Sequence, residues 1–187
     1  INYGPITTFS NYSIISEDRC FKVFKAFPNK IGSFFGCSIL TGAGMVFNHI
    51  KILPNNSVVL IGIGGIGLAS LLALKCLKIK DVLIIENNKS RHNLIKKIGF
   101  KNILRSNEKN FNNKIKKISK NKLYDVCIEA AGKIDTIELG MSVINNSGKL
   151  IFASHPDSTQ KIRLDPHDLI KGKQIFGSWG GNSKPDK

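Results

Sequence analysis

Three glycines between residues 58 and 67 form a pattern that suits phosphate binding. Gly62, Gly64 and Gly67 have the spacing G-x-G-x-x-G, with an apolar β-branched run before them and a helical run after them. In such a turn the first glycine permits a tight bend, the second lets the backbone approach a pyrophosphate, and the third lets the helix pack closely on the strand. The phosphates meet unpaired N–H groups at the positive end of the helix. The pattern therefore predicts a dinucleotide site.

An acidic residue follows these glycines at the distance that the hypothesis requires. Glu86 closes the next apolar segment, 19 residues after Gly67 (86 − 67 = 19). A carboxylate there accepts hydrogen bonds from the ribose hydroxyls and repels a 2′-phosphate, which favours NAD over NADP. Lys89 and Arg91 follow closely and could soften that preference. The alternative is a solvated loop carboxylate without a ligand.

Alternating apolar and helical segments predict the elements that hold these residues. Six strands are expected around residues 58–61, 81–86, 102–105, 124–132, 149–154 and 173–178. Helical patterns separate them, as the crossovers of a parallel sheet require. The predicted fold class is therefore α/β, with a doubly wound parallel six-stranded sheet of the Rossmann type.

Residues 1–36 differ in character from the rest of the chain. Residues 7–15 alternate polar and apolar side chains, which is typical of a half-exposed antiparallel strand. The chain begins with Ile1 rather than Met, and we interpret it as part of a longer protein. The N-terminal segment is expected to belong to a different domain from the predicted sheet.

The charge of the chain is strongly positive but spread along its length. The 28 Lys and Arg against 13 Asp and Glu give a net charge of +15. The densest cluster, residues 109–122, places Ile115, Ile118 and Leu123 at helical spacing, so a solvated helix face is the favoured interpretation. Nucleic acid is therefore not the expected partner, although a basic surface attracts an anionic cofactor or substrate.

Hydropathy and cysteine usage bear on the cellular setting. No apolar run approaches the roughly 20 residues of a membrane helix, so no membrane is expected. The four cysteines lie far apart, without a C-x-x-C motif, which disfavours both a disulfide framework and a self-contained zinc knuckle. A reducing compartment, the cytoplasm, is the predicted location.

Several motifs, in their order along the chain, resemble the zinc-dependent medium-chain alcohol dehydrogenases. Residues 36–44 have the form G-C-x-x-x-T-G-x-G before the glycine turn, and residues 177–181 read G-S-W-G-G. Residues 4–19 are similar to the end of that family's GroES-like catalytic domain. The resemblance implies that 1–36 is the C-terminal remnant of the GroES-like domain. It also implies that 37–187 is the NAD(P)-binding Rossmann domain, without the family's C-terminal return to the catalytic domain.

The same resemblance implies roles for individual residues. Cys37 matches the third protein ligand of the catalytic zinc, and Thr41 matches a catalytic-site position beside the nicotinamide ring. The implied coenzyme-binding positions run from the phosphate loop, through the ribose acid and its neighbour, to the ends of later strands: Gly62, Gly64, Gly65, Ile66, Gly67, Glu86, Arg91, Ala130, Ala131, Ser154 and Trp179. Cys37 has the alternative of being a packed thiol, as a lone cysteine commonly is.

The activity implied is hydride transfer between an alcohol or polyol and NAD, with zinc acting as a Lewis acid. In this family the other zinc ligands and the proton relay precede the matching segment, so the chain by itself is expected to be inactive. The family also suggests a homodimer or homotetramer joined through the Rossmann domains. The alternatives are a zinc-free reductase of the quinone-reductase type, a methyltransferase, or a non-catalytic nucleotide-binding or nucleic-acid-binding module.

Overall fold

The computed structural model describes residues 11–17, 20 and 22–184, and the elements below lie within these ranges. The strands are β1 (Val58–Ile61), β2 (Val82–Ile85), β3 (Ile103–Leu104), β4 (Tyr124–Glu129), β5 (Ile144–Phe152) and β6 (Gln174–Gly177). The helices are α1 (Asn29–Phe35), α2 (Ser38–Gly44), α3 (Gly65–Cys76), α4 (Lys89–Ile98), α5 (Phe111–Ile118), α6 (Ile134–Val143) and α7 (Pro166–Ile170). A π-helical turn, Met45–His49, extends α2, and a 3₁₀ turn, Gly180–Asn182, follows β6.

All six strands are parallel and lie in the order β3-β2-β1-β4-β5-β6. The chain moves outward from β1 to β3, then returns to the other side of β1 and moves outward again. This is the order of a doubly wound Rossmann sheet, and the predicted fold class is confirmed. β5 begins five residues before the predicted position 149, because an irregular stretch near Asn145 joins the same ladder.

Alternation along the strands divides the core into two layers. Val58 and Leu60 of β1 face one apolar cluster together with α3 and α4, whereas Val59 and Ile61 face a second cluster with α5 and α6. All four residues of β1 are buried, as expected for a central strand covered by helices on both faces. β1 is therefore held rigidly where its carboxyl end meets the glycine turn.

Helix α2 contacts α3 through backbone. A Cβ added at Gly42 would overlap Ile66 O and lie 2.7 Å from Ala69 Cβ, and Ser70 Oγ donates a hydrogen bond to Gly42 O at 2.9 Å. The other side of α2 contacts the end of the chain, because a Cβ at Gly44 would overlap Gly181 O. The two helices are thus fixed at a separation that only glycine permits.

The N-terminal segment contains no strand in its described part. Residues 11–16 have no regular structure, so the strand expected over residues 7–15 is wrong there, while its residues 7–10 lie outside the described residues. An alternating pattern becomes a strand where a neighbouring strand takes up its hydrogen bonds. Within the described ranges, every strand of the sheet follows residue 57.

Among the described residues, no single helix has the length and apolarity to cross a membrane. One bent pair, Asn29–Phe35 with Ser38–His49, meets the length and composition criteria only when its two helices, at 53° to each other, are taken together.

Candidate functional site

The carboxyl ends of β1, β2 and β4 meet at one edge of the sheet. In the register, Ile61 of β1 pairs with Ile85 on one side and with Glu129 on the other. The chain reverses its direction of winding here, and ligands of open α/β sheets bind at such switch points. A cleft of about 300 Å³ lies at this edge. Its lining includes six of the residues that the sequence singled out: Gly62, Gly64, Glu86, Arg91, Ala130 and Ala131.

The glycine turn follows β1 with little room for side chains. Gly62 has a φ of 84°, and a Cβ there would lie 2.8 Å from Ala131 Cα. A Cβ on Gly67 would overlap Gly62 O, whereas a Cβ on Gly64 would meet no atom within 4 Å. Gly62 and Gly67 are therefore required by packing, and Gly64 leaves an open face toward which a ligand can approach. The first N–H groups of α3 lack partners within the helix and are available to an anion.

Glu86 closes β2 beneath this turn and is 5% exposed. Its Oε2 accepts hydrogen bonds from Ile63 N (2.7 Å) and from Arg91 Nη1 (3.2 Å), and its Oε1 accepts one from Asn88 N (2.7 Å). Burial raises the pKa of this carboxyl, but the hydrogen bonds from Asn88, Ile63 and Arg91 together outweigh that effect, so the pKa lies below its usual 4.5. Glu86 is consequently ionised at neutral pH.

The start of α4 places Arg91 near Glu86. Asn88 caps the helix by accepting a hydrogen bond from Ser90 N at 3.0 Å, and Arg91 follows in the first turn. The Arg91 side chain is 44% exposed, so its guanidinium can move toward a ligand in the cleft. Its Nη1 lies 3.2 Å from Glu86 Oε2, so the two side chains form an ion pair.

A second loop forms the opposite wall of the cleft. Ala130 N donates to Ile61 O at 2.8 Å, and Ala131 packs on Gly62 as described above. Both alanines were expected at the sheet edge where a coenzyme lies. The residue before them, Glu129, is completely buried and accepts hydrogen bonds from this loop.

Helix α2 brings Thr41 and Cys37 to the same end of the sheet. Cys37 immediately precedes α2 and its thiol is exposed, while Ser38 approaches the glycine turn, with its Cβ 3.3 Å from where a Gly65 Cβ would lie. Thr41 is buried, and Ile66 is partly buried at the start of α3. The side chains of Cys37, Thr41 and Ile66 do not line the cleft of about 300 Å³.

The two remaining predicted residues follow β5 and β6. Ser154 Oγ donates to Glu129 Oε2 at 2.8 Å, so its hydroxyl is engaged within the protein. Trp179 is 85% exposed and contacts His155 edge to face, with ring centroids 4.9 Å apart. Both lie at the carboxyl end of the sheet, beyond the cleft lining.

The structure adds residues that the sequence pattern did not single out. Asn87 Oδ1 accepts hydrogen bonds from Ser106 N (2.8 Å) and Ser106 Oγ (3.1 Å), which ties the loops after β2 and β3 together beside the cleft. Lys133 and Thr136 line its other side. Glu129 closes a strand next to β1 as Glu86 does, and that position is the sequence signal by which it could have been found.

The doubly wound sheet with a cleft at its switch point defines a Rossmann-like α/β domain. Residues 65–187 match the family model described as "zinc-binding dehydrogenase". The chain belongs to this family, and the solved structures described next, which it resembles, are alcohol dehydrogenases.

Two solved structures match nearly the whole chain. Benzyl alcohol dehydrogenase from Acinetobacter calcoaceticus is 28% identical, with a TM-score of 0.89, and the match covers 97% of this chain and 50% of that one. An alcohol dehydrogenase zinc-binding domain protein from Burkholderia ambifaria is 24% identical, with a TM-score of 0.88 and coverages of 97% and 49%. The chain thus spans about half the length of these relatives.

Zinc and a nicotinamide dinucleotide are the two groups associated with this family, and the described residues suit only the dinucleotide. A dinucleotide fits, because the turn at Gly62 and Gly67 brings backbone to the cleft, Gly64 has an open face, and Glu86 is ionised beside it. Zinc does not fit on these residues alone. Within the part of the chain that the structure describes, no three His, Cys, Asp or Glu side chains are grouped to hold a metal ion.

Proposed function

We propose that this chain is the coenzyme-binding part of an NAD-linked dehydrogenase that acts on an alcohol or polyol. The observation that carries the proposal is the cleft at the switch point, where the glycine turn, Glu86 and Ala131 line one space. The two matched alcohol dehydrogenases support the substrate class. Bound NAD supplies the hydride acceptor.

In this proposal the residues of the chain bind and orient the coenzyme. The pyrophosphate lies over Gly64 and the first turn of α3, where N–H groups and the helix dipole favour an anion. The adenosine ribose lies against Glu86. Ile66 and Thr41 stand toward the nicotinamide end, and Ala130, Ala131 and the backbone at Ser154 and Trp179 complete that side.

Glu86 supports a preference for NAD. Because it is ionised and faces the cleft, a 2′-phosphate would meet a negative charge there. Arg91 offsets this effect in part. We expect Glu86→Gln to raise affinity for NADPH relative to NADH by about tenfold, since it removes the repulsion while keeping the side-chain shape. If the ratio of the NADPH and NADH affinities is the same as in wild type, Glu86 does not determine the coenzyme preference.

Fluorescence titration of NADH into the full-length protein tests coenzyme binding. Gly64→Ala is the informative variant, because its methyl group enters open space on the side of the proposed ligand and strains no neighbour. We expect an unchanged melting temperature and a Kd raised by roughly tenfold or more. Failure of the wild type to bind at millimolar NADH would overturn the proposed function.

We further propose that Cys37 is the one zinc ligand in this chain, with the others supplied from outside the described residues. Its exposed thiol, next to the contact of Ser38 with the glycine turn, supports this role. Zinc content should fall in Cys37→Ser of the full-length protein and remain in Cys20→Ser, another exposed cysteine. A wild-type protein without zinc would instead favour the quinone-reductase alternative.

We also propose the domain division at residue 36. Apolar side chains before it are exposed, among them Phe24 (87%) and Phe34 (55%), whereas Thr41, Met45 and Val46 are buried against the sheet layers. A segment that packs in another domain would leave such side chains uncovered. The 187-residue chain assayed alone should therefore oxidise no alcohol. Turnover of an alcohol by this chain would contradict the proposed division into domains.

Self-association through the Rossmann domain is the proposed assembly. β6 lies at an edge of the sheet and pairs on one side with β5, so its other side can accept a strand from a second copy. Sedimentation of the full-length protein should give a dimer or tetramer. A monomer at micromolar concentration would exclude this assembly.

A further inference from the structure

Glu129 is a buried acid that joins three elements at the coenzyme edge. It closes β4 and has no solvent exposure. Its Oε1 accepts hydrogen bonds from Ala131 N and Gly132 N, both at 2.8 Å, and lies 2.8 Å from Thr136 Oγ1. Its Oε2 accepts the hydrogen bond from Ser154 Oγ, also at 2.8 Å. One carboxylate thus holds the loop after β4, the first turn of α6 and the end of β5.

The loop that Glu129 holds packs directly on the glycine turn. Ala131 fills the space beside Gly62, where an added Cβ would lie 2.8 Å from both its N and its Cα. Ala130 lies against Gly67, with its Cβ 3.5 Å from where a Gly67 Cβ would be. Ala130, Ala131 and Thr136 line the cleft. The position of this wall is therefore set by groups that Glu129 binds.

The same hydrogen bonds determine what the wall can offer to a ligand. The N–H groups of Ala131 and Gly132 point to Glu129, so they are not directed to coenzyme phosphates. The backbone of residues 130–132 therefore offers the cleft alanine methyl groups and carbonyl oxygens rather than these two N–H groups, while Lys133 and Thr136 supply polar side chains to the same wall. Unpaired backbone N–H groups for an anion are consequently left to the opposite side, at Gly64 and the first turn of α3.

We propose that Glu129 is a positioning residue for the coenzyme: it fixes residues 130–132 against the glycine turn and engages the N–H groups of Ala131 and Gly132, so that these two groups do not bind coenzyme phosphates. This inference rests on the proposed coenzyme binding. A carboxylate suits the role because it only accepts hydrogen bonds, and the groups around it are N–H and O–H donors. Four contacts to a single side chain make a cooperative network whose removal displaces several groups together.

Three substitutions of Glu129 test separately the charge, the length and the presence of its side chain. Glu129→Gln can keep its carbonyl oxygen toward the two backbone N–H groups and turn its amide toward Ser154 Oγ, so NADH affinity should stay within about threefold of wild type. Glu129→Asp keeps the charge but withdraws it by one methylene. Glu129→Asp and Glu129→Ala should each raise the Kd for NADH about tenfold or more, since the wall is no longer held.

The matched control is Val126→Ala, which removes buried side-chain volume from the same strand, three residues before Glu129 and outside the cleft lining. It should lower the melting temperature but leave the Kd for NADH within about twofold of wild type. Glu129→Asp and Glu129→Ala are compared with Val126→Ala at a similar loss of melting temperature. If the two Glu129 variants then bind NADH with the affinity of wild type, Glu129 has only a structural role and the inference is overturned.

Hydrogen exchange in the coenzyme-free, full-length protein tests the loop contact independently. The amides of Ala131 and Gly132 should be protected in wild type and in Glu129→Gln, and should exchange much faster in Glu129→Asp. Fast exchange in wild type, or protection that survives Glu129→Asp, would overturn the inference. Absence of NADH binding by a wild type with protected amides would instead overturn the proposed function, so the two failures are distinguishable.

Discussion

Two acids end the strands on either side of β1, and their surroundings differ. Glu86 closes β2 with two backbone N–H partners and one flexible partner, Arg91, which is 44% exposed. Glu129 closes β4 with two backbone N–H groups and two hydroxyls nearby, and it has no exposure. Similar positions in the sheet thus carry one acid that lines the cleft and keeps acceptor capacity for a ligand, and one whose two oxygens are fully engaged within the fold.

The difference shows how a parallel sheet can use the same residue type for two tasks. Three hydrogen bonds to Glu86, one of them from the partly exposed Arg91, leave acceptor capacity for a ribose hydroxyl, whereas the four groups around Glu129 use all the acceptor capacity of that carboxylate. We therefore expect substitutions at Glu86 to change ligand choice and those at Glu129 to change the geometry of the wall.

The largest expected effect comes from the turn that both acids support. Gly67→Ala should lower the free energy of unfolding by about 3 kcal/mol and abolish measurable NADH binding, because the new Cβ overlaps Gly62 O. Urea unfolding of Gly67→Ala beside Gly64→Ala, which meets open space, checks this prediction. Equal stability of the two variants would mean that the glycine turn can move to accept the new Cβ. Glu86 and Glu129 would then not depend on one rigid turn between them.

Removing each acid should distinguish structural from ligand-facing roles. Glu129→Ala leaves several buried N–H and O–H donors without an acceptor and should lower the free energy of unfolding by about 3 kcal/mol. Glu86→Ala should lower it by roughly 1 kcal/mol. Chemical denaturation of both variants provides the measurement. If Glu86→Ala proves the more destabilising, the assignment of the two roles is reversed.

The pH dependence of stability sharpens the description of Glu86. Its pKa is lower in the folded protein than the usual 4.5, so its ionised form stabilises the fold above pH 4.5, and this contribution is lost as the pH falls through the folded pKa. The difference in unfolding free energy between wild type and Glu86→Gln should therefore shrink below pH 4.5. A difference that grows on acidification would contradict the lowered pKa.

The smallest effect is expected at Arg91. Its ion pair with Glu86 is partly exposed, so Arg91→Ala should cost less than about 1 kcal/mol of stability. It should also strengthen the preference for NADH over NADPH by a few fold, since a cation beside the ribose acid is lost. Competition titrations of the two coenzymes give the ratio, with Lys97→Ala, on the last turn of α4, as the control for net charge.

The sheet was predictable because its signals are local. Each buried strand is a short β-branched run followed by a helical period, and the glycine spacing identifies β1 and α3. The strand expected over residues 7–15 was wrong in its described part, because alternation alone does not supply a neighbouring strand. Strand formation there depends on tertiary contacts that no short window contains.

The sequence anticipated residues on both sides of the candidate site, but it did not reveal the long-range contacts that hold the second wall. Gly62, Glu86 and Arg91 have fixed spacing within one βαβ unit, so pattern and geometry agree. The partners of Glu129 range from Ala131 to Ser154, which is 25 residues away, and meet only when β4, α6 and β5 are assembled. Likewise, the tie between Asn87 and Ser106 connects loops from different strands.

The contact between α2 and the end of the chain has a consequence for biosynthesis. Ser183 Oγ donates to Leu40 O across 143 positions, and Gly181 fits against Gly44. The ribosome synthesises α2 long before residues 180–183, so this face of the helix is uncovered in the nascent chain until those residues are made. Closing so long a loop is entropically costly and slow, and docking of residues 180–183 should be a late step in folding.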